Sequence, residues 1–381
     1  MPQLRKPERP ENRFRELIYQ LFDAVREERS FILLIAVLFF AAGAIYPYPG
    51  IAMWFGFVLA AYSAVSNDSI QTIGTFIASN ADRKWYVLWL YIGAIFLVTV
   101  TVGWLTYDGD VSYGRLLSKE DDGSLSYPQP DQFGFLQIAA PIFLLVLTRL
   151  RMPVSTTFLL LSSFAVSPGA IGSVINKSLS AYVLAFFLGF AVWFAITRLT
   201  QKHFQGKPAP GWVVAQWITS GSLWSVWIMQ DAANIAIYLP RQLDISQFLA
   251  FALVVFLGLG LIFFLKGDKI QQIVNEKSEV TDIRAATLID FVYASILVYK
   301  LTISVIPMST TWVFIGLLGG RELAMRLRER TANAERKERI RGAFRMIGKD
   351  AGLAAIGLLV SVALAMAVNP TFRSEILSLF A

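Results

Sequence analysis

Between residues 31 and 368 the chain is a succession of long apolar runs separated by short charged stretches, and that alternation leaves few folds open. A helix crossing a bilayer needs about 20 mostly apolar residues, because every backbone N–H and C=O must be satisfied inside the segment. On that criterion segments fall near 31–46, 51–66, 85–105, 133–148, 153–171, 179–197, 212–229, 246–265, 287–305, 308–323 and 351–368. Hydrophobic residues make up 55% of the chain and charged ones 16%, outside the balance of a soluble domain. The expected fold is an all-α polytopic membrane protein with about 11 segments.

Lys and Arg placement orients them, because cytoplasmic loops carry the excess. With the amino terminus inside and every segment crossing, 28 of the 34 Lys and Arg fall inside and five outside, and Lys300 lies within a segment. The net charge of +7 thus reads as topogenic, not as a nucleic-acid surface. The acidic loop 106–132 lands outside. Residues 1–30 are too charged for a cleavable signal peptide and read as a cytoplasmic, partly amphipathic lead helix.

Within this frame one device occurs twice. Pro153-Val154-Ser155-Thr156-Thr157 reappears as Pro307-Met308-Ser309-Thr310-Thr311. Upstream of each lies an Asp pentad, Asn67-Asp68-Ser69-Ile70-Gln71 and Gln230-Asp231-Ala232-Ala233-Asn234, at the end of an apolar run. The chain is read as an internal duplication. Its parts are a cytoplasmic segment 1–30, a first membrane half 31–197 holding repeat 1, a linker 198–211, repeat 2 at 212–323, a basic loop 324–350, and a last span and tail 351–381. The run entering the first pentad points inward and the run entering the second points outward. The halves are therefore expected to be inverted-topology repeats, an arrangement of secondary transporters with a site near the midplane.

A Pro followed by Ser-Thr-Thr suits the start of a broken or re-entrant half-helix, where hydroxyls sit beside unpaired N–H groups that bind oxyanions. Ser155, Thr156, Thr157, Ser309, Thr310 and Thr311 are the candidate substrate ligands. The bland alternative is that they only cap kinked helices. Asp68 and Asp231 are acidic groups at membrane depth. With Asn67, Gln71, Gln230 and Asn234 they offer hard oxygens for Na⁺, or a carboxylate for H⁺, unless they merely cap helix ends at the interface. Lys300 breaks the symmetry and reads as a counter-charge for the anion, a stand-in for a cation, or an Asp-paired or snorkelling side chain. Asp290 is expected at the interface. Gly50, Gly74, Gly169, Gly172, Gly319 and Gly320 are expected at close helix contacts.

With no Cys, and its one His in the loop after residue 197, the chain has no thiol chemistry and no His-based triad or metal site. Two Asp in separate spans invite comparison with intramembrane aspartyl proteases, but the Tyr-Asp and Gly-x-Gly-Asp contexts are missing. The chain is read as a non-enzyme.

At these residues it resembles the inorganic phosphate transporter (PiT) family, whose duplicated signature is Gly-Ala-Asn-Asp-Val-Ala-Asn-Ala followed by Pro-Ile-Ser-Thr-Thr-His. The resemblance implies an inverted-repeat secondary transporter moving phosphate with Na⁺ or H⁺, or sulfate in some bacterial members. It matches Asn67, Asp68, Gln71, Gln230, Asp231 and Asn234 to the first signature, and the two Ser-Thr-Thr runs to the second. Val65 and Ile228 replace the Gly, Gln71 and Gln230 replace Asn, and Phe158 and Trp312 replace the His. The expectation is an oxyanion symporter, most directly for phosphate, with an anion channel as the other class. It would sit in a bacterial inner membrane with its N-terminus cytoplasmic and C-terminus periplasmic, need no cofactor beyond the coupling ion, bind no nucleic acid, and leave homodimerisation open.

Overall fold

The computed structural model describes residues 26, 28–119, 123–150, 152, 154–165, 168–204, 206–264, 282–328 and 333–378. The expected lead helix over 1–30, Pro153 and the loop 265–281 lie wholly or mainly outside the described residues. The regular elements among them are helices: α1 Arg29–Ile45, α2 Pro49–Thr72, α3 Gly74–Ser79, α4 Trp85–Thr106, α5 Phe135–Arg149, a π-helical turn Thr157–Leu161, α6 Pro168–His203, α7 Gly211–Ala236, α8 Ile245–Phe264, α9 Ile283–Ile303, α10 Thr310–Arg328, α11 Asn333–Val368 and α12 Pro370–Ser378. Six of them are long and apolar enough to cross a membrane, within α2, α4, α6, α8, α9 and α11, as fits a polytopic membrane protein. On α8 the side chains of Leu249, Leu253, Leu257 and Leu261 point outward at four-residue spacing, about half exposed. In water such a stripe would be costly, whereas against lipid it is the expected outer face.

Some expected segments are drawn differently. Among the described residues of 153–171 no single helix runs through: the π turn ends at Leu161 and α6 starts at Pro168. Proline is at home in the first turn of a helix, where its missing N–H is not needed. Further on, α6 and α11 continue helically through 198–203 and 333–350, stretches read as linker and loop.

α6 and α10 form the most extensive helix pair. Their backbones touch because glycine leaves room. A Cβ on Gly320 would sit 2.0 Å from the Phe186 carbonyl oxygen, and one on Gly316 2.5 Å from that of Tyr182. Small residues allow this approach in membranes, where dispersion and not the hydrophobic effect joins helices. Gly319 meets Ile347 at an ordinary 3.4 Å, while Gly50 and Gly172 face open space, so close contact explains only part of the expected glycine set. Elsewhere α7 packs on α9, α2 on α5, and α4 on α8.

Between α5 and the end of α7 a proline is accommodated by a partner from the other half. Pro141 deprives the Gln137 carbonyl of its helical donor, and the Tyr238 hydroxyl donates to that oxygen at 2.7 Å instead. Gly56 makes the space, since a Cβ there would lie 2.4 Å from the Tyr238 ring.

Candidate functional site

The two Asp pentads lie in the last turns of α2 and α7, and the two Ser-Thr-Thr runs come against them from between α5 and α6 and between α9 and α10. Each Ser makes the same local bond. Ser155 Oγ accepts from Phe158 N–H and Ser309 Oγ from Trp312 N–H, both at 3.2 Å. That is the N-cap pattern, in which a short hydroxyl satisfies a donor that the helix cannot. The outcomes differ. Ser309 opens α10, a true helix with an aligned dipole, whereas Ser155 opens only the five-residue π turn, so the expected half-helix is present at the second copy alone.

The Thr hydroxyls reach the carboxylates in matching fashion. Thr156 Oγ1 donates to Asp68 Oδ2 at 3.0 Å, and Thr310 Oγ1 to Asp231 Oδ2 at 2.6 Å. The last amide of each pentad donates to the Oδ1 of its own Asp, Gln71 at 3.4 Å and Asn234 at 2.6 Å. It also crosses to the other half, Gln71 to Thr311 Oγ1 at 3.1 Å and Asn234 to Thr157 Oγ1 at 3.2 Å. Those threonines complete the exchange: Thr157 donates to the Met308 carbonyl at 3.1 Å and Thr311 to that of Val154 at 3.2 Å. Phe158 and Trp312, the residues that follow the two Ser-Thr-Thr runs, stand edge to face with ring centroids 5.3 Å apart. All twelve expected substrate and ion residues are therefore brought into one buried cluster.

The symmetry fails at the first amide. Asn67 Nδ2 donates to Asp68 Oδ1 at 2.8 Å and to the Val154 carbonyl at 2.9 Å, and its oxygen accepts from Thr148. Gln230, one methylene longer, instead turns its Oε1 to Arg115 Nε at 3.2 Å and leaves its own Nε2 without a partner. Within the cluster two further buried atoms have no partner among the described residues, Gln71 Oε1 and Asn234 Oδ1, at equivalent places in the two halves. A buried amide oxygen without a donor costs about 1–3 kcal/mol unless something else satisfies it. The cluster thus holds two carboxylates, two idle amide oxygens and four Thr hydroxyls, a set of hard-oxygen ligands suited to Na⁺.

Two charged residues lie apart from the cluster, and one of them, Asp290, is not where it was expected. Lys300 Nζ donates to Ser180 Oγ at 3.0 Å on the exposed side of α9 and makes no hydrogen bond to the cluster. Asp290, expected at an interface, is 1% exposed and accepts from Thr75 Oγ1 at 2.7 Å and Ser220 Oγ at 2.5 Å. It is buried because α3 and α7 both pack on α9 and bring one hydroxyl each. Ser220 is in turn held by Gln216, and Gln216 by Asn80, a second polar chain that no local motif marked.

Arg115 was missed as a site residue. It sits in the loop after α4, read only as an outer basic position, yet it is 2% exposed and within electrostatic reach of Asp231. Burial pulls its pKa down to about 10, with Asp231 foremost among the groups opposing that shift, so it stays charged at neutral pH. The one available signal was its sign, an Arg in a loop where the topology expects few.

No family model matches the chain, and no curated protein matches it. Among solved structures it is similar to "The sodium-dependent phosphate transporter", at 20% identity and a TM-score of 0.46, over 83% of this chain and 98% of that one. Likeness at that level leaves substrate and coupling ion open.

Proposed function

We propose that the chain is a secondary transporter of a tetrahedral inorganic oxyanion, phosphate in the first place, coupled to Na⁺ or H⁺ and built from two inverted repeats in a bacterial-type inner membrane. One observation carries this reading: the two Ser-Thr-Thr runs and the two Asp pentads converge in a single buried network whose bonds repeat between the halves. A structural polar core has no need of two idle amide oxygens beside two carboxylates that lack a cationic ion-pair partner among the described residues.

Coupling follows from the single proton on each hydroxyl. Thr156 and Thr310 spend theirs on Asp68 and Asp231. A Na⁺ at either carboxylate, completed by Gln71 Oε1 or Asn234 Oδ1, would neutralise the charge and free the hydroxyl to donate to an oxyanion. Anion affinity then depends on cation occupancy, and by linkage the reverse also holds. Na⁺ is the first expectation, because it answers the idle amide oxygens whereas a proton on Asp would not.

The test is uptake of labelled phosphate and labelled sulfate into liposomes holding the purified chain, with Na⁺ or choline outside and with or without a pH gradient. Phosphate uptake that requires Na⁺ is the expected result. Sulfate uptake, or proton-driven phosphate uptake, would change the substrate or the ion but keep the site. Uptake of neither, or single-channel current, would overturn the transporter reading.

A further inference from the structure

Two arginines are buried among the loops at one end of the bundle, and their surroundings differ. Arg241 is fully spent on backbone carbonyls: Nε on Tyr127 at 2.7 Å, Nη1 on Ile237 and Leu239 at 2.9 and 2.6 Å, and Nη2 on Pro128 at 3.0 Å. It staples the loop after α4 to the loop after α7. Arg115 is as deeply buried but poorly matched. Its Nε meets Gln230 Oε1, its Nη1 makes two long contacts of 3.4 Å to the Ser112 and Tyr113 carbonyls, and its Nη2 has no hydrogen-bond partner among the described residues. No carboxylate lies within ion-pair distance of it among those residues. Asp231 and Asp110 act on it only from beyond ion-pair distance, and a buried charge so incompletely matched is costly unless a ligand supplies the missing charge.

The loop is built to hold Arg115 there. Asp110 accepts from Ser112 N–H and Gly114 N–H, both at 2.7 Å, and from the Ser112 hydroxyl at 2.8 Å. Ser112 Oγ in turn accepts from Leu116 N–H. The turn passes through positive φ at Tyr113 and Gly114 (57° and 80°), a conformation that this Asp-centred net stabilises. Gly109 and Leu243 tie its other end to the loop after α7 at 2.8 Å.

Arg115 and Gln230 share a further property. Gln230 Nε2 is also buried without a partner, so an idle amide donor and an unpaired guanidinium lie beside one another, next to Asp231. The cationic character extends outward. Lys177 lies within electrostatic range of both Arg115 and Lys300, and its ammonium is held by the Ser304 and Ile306 carbonyls, just ahead of Ser309.

We infer that Arg115 and the side-chain amide of Gln230 form an anion-recognition pair on the Asp231 side of the site, which binds the oxyanion and favours its doubly charged form. This rests on the transporter reading above. A guanidinium presents N–H groups in a fork that fits two oxygens of a tetrahedral anion, and a fixed positive charge gains more from two negative charges than from one. It also supplies the asymmetry that the duplicated network lacks, since the first half has Asn67 turned onto Val154 instead.

The experiment compares wild type, Arg115→Met and Arg115→Lys in liposomes, measuring KM and maximal rate for phosphate at saturating Na⁺, on either side of phosphate's second ionisation, together with the Na⁺ concentration for half-maximal uptake. Arg115→Met is expected to raise KM on the order of tenfold or more, the effect of losing a charge-assisted bond, with Na⁺ dependence at saturating phosphate unchanged. It should also erase the preference for the dianion, while Arg115→Lys, which keeps the charge but not the fork, keeps that preference and only part of the affinity. A KM within about twofold of wild type, or a shift in Na⁺ dependence alone, would overturn the inference while leaving the transporter standing. Equal loss of the dianion preference in the Lys and Met variants would do the same, marking Arg115 as a tether. If Arg115→Met does not fold, Arg115→Lys and Gln230→Met carry the comparison, with Gln230→Met expected to raise KM. Failure of wild type to move either anion would remove the transporter reading and this inference with it.

Discussion

Asp231 tests whether the carboxylates serve function or only packing, because the bonds around it separate the two. Its Oδ1 accepts from Asn234 at 2.6 Å and from Thr157 at 3.3 Å, and its Oδ2 from Thr310 at 2.6 Å. In Asp231→Asn the remaining oxygen stays with Asn234, and the new NH₂ faces Thr310 Oγ1, a hydroxyl able to turn and accept. The Thr310 proton loses its acceptor but the Thr310 oxygen gains a donor, and a desolvated charge is removed, so stability should stay within about 1 kcal/mol of wild type. In Asp231→Ala, Thr157 still has the Met308 carbonyl and Asn234 still has the Thr156 hydroxyl, but Thr310 loses its acceptor. One stranded buried hydroxyl costs about 1–3 kcal/mol. The two variants should therefore differ in melting temperature in detergent, Ala below Asn. Both should lose Na⁺-stimulated uptake, by roughly 10- to 100-fold for the Asn variant, the worth of a charge-assisted contact. If Asp231→Asn transports with wild-type Na⁺ dependence, the coupling scheme is wrong. If it melts as low as the Ala variant, the Thr310 contact is structural and its place in the scheme falls.

Gly320→Ala should lower the melting temperature more than Gly319→Ala, because the first puts a Cβ 2.0 Å from a backbone oxygen of α6 and the second only 3.4 Å from a side chain; overpacking of the first kind costs about 1–3 kcal/mol. Asp290→Ala strands the hydroxyls of Thr75 and Ser220 and should destabilise by about 2–6 kcal/mol, with Asp290→Asn much milder, as read by thermal unfolding. Asp282 caps α9 by accepting from Arg284 N–H at 2.8 Å, and its loss in Asp282→Ala should cost about 1 kcal/mol. The bonds from Arg284 hold the Asp282 carboxyl below its ordinary value, so this deficit should be full at neutral pH and close as pH falls through that lowered value; a deficit that persists in acid would assign it to lost packing.

The features legible without coordinates are local ones. An apolar run announces a buried or lipid-facing helix wherever it occurs, and all four polar motifs were readable because each keeps its residues within five positions. Their duplication linked the motifs before any contact was seen, and all four come together in one buried cluster, though Gln230 turns its side chain to Arg115 instead. Lys300 could not be placed in the same way, since an ammonium on a flexible stem takes whichever acceptor the neighbouring helix offers, and here that is Ser180, 120 residues away.

What only the tertiary structure decided has a common physical cause. Inside a bilayer the lipid and the protein interior are equally apolar, so hydropathy marks a segment as helical without saying which face meets another helix. Whether Asp290 is interfacial or buried turns on Thr75 and Ser220, which lie 215 and 70 residues from it in sequence. The Arg115–Gln230 contact spans 115 residues and depends on the fold of an intervening loop. Apolarity belongs to each residue singly and can be read along the chain. A hydrogen bond or a close backbone approach belongs to a pair, and distant pairs are brought together only when the helices pack.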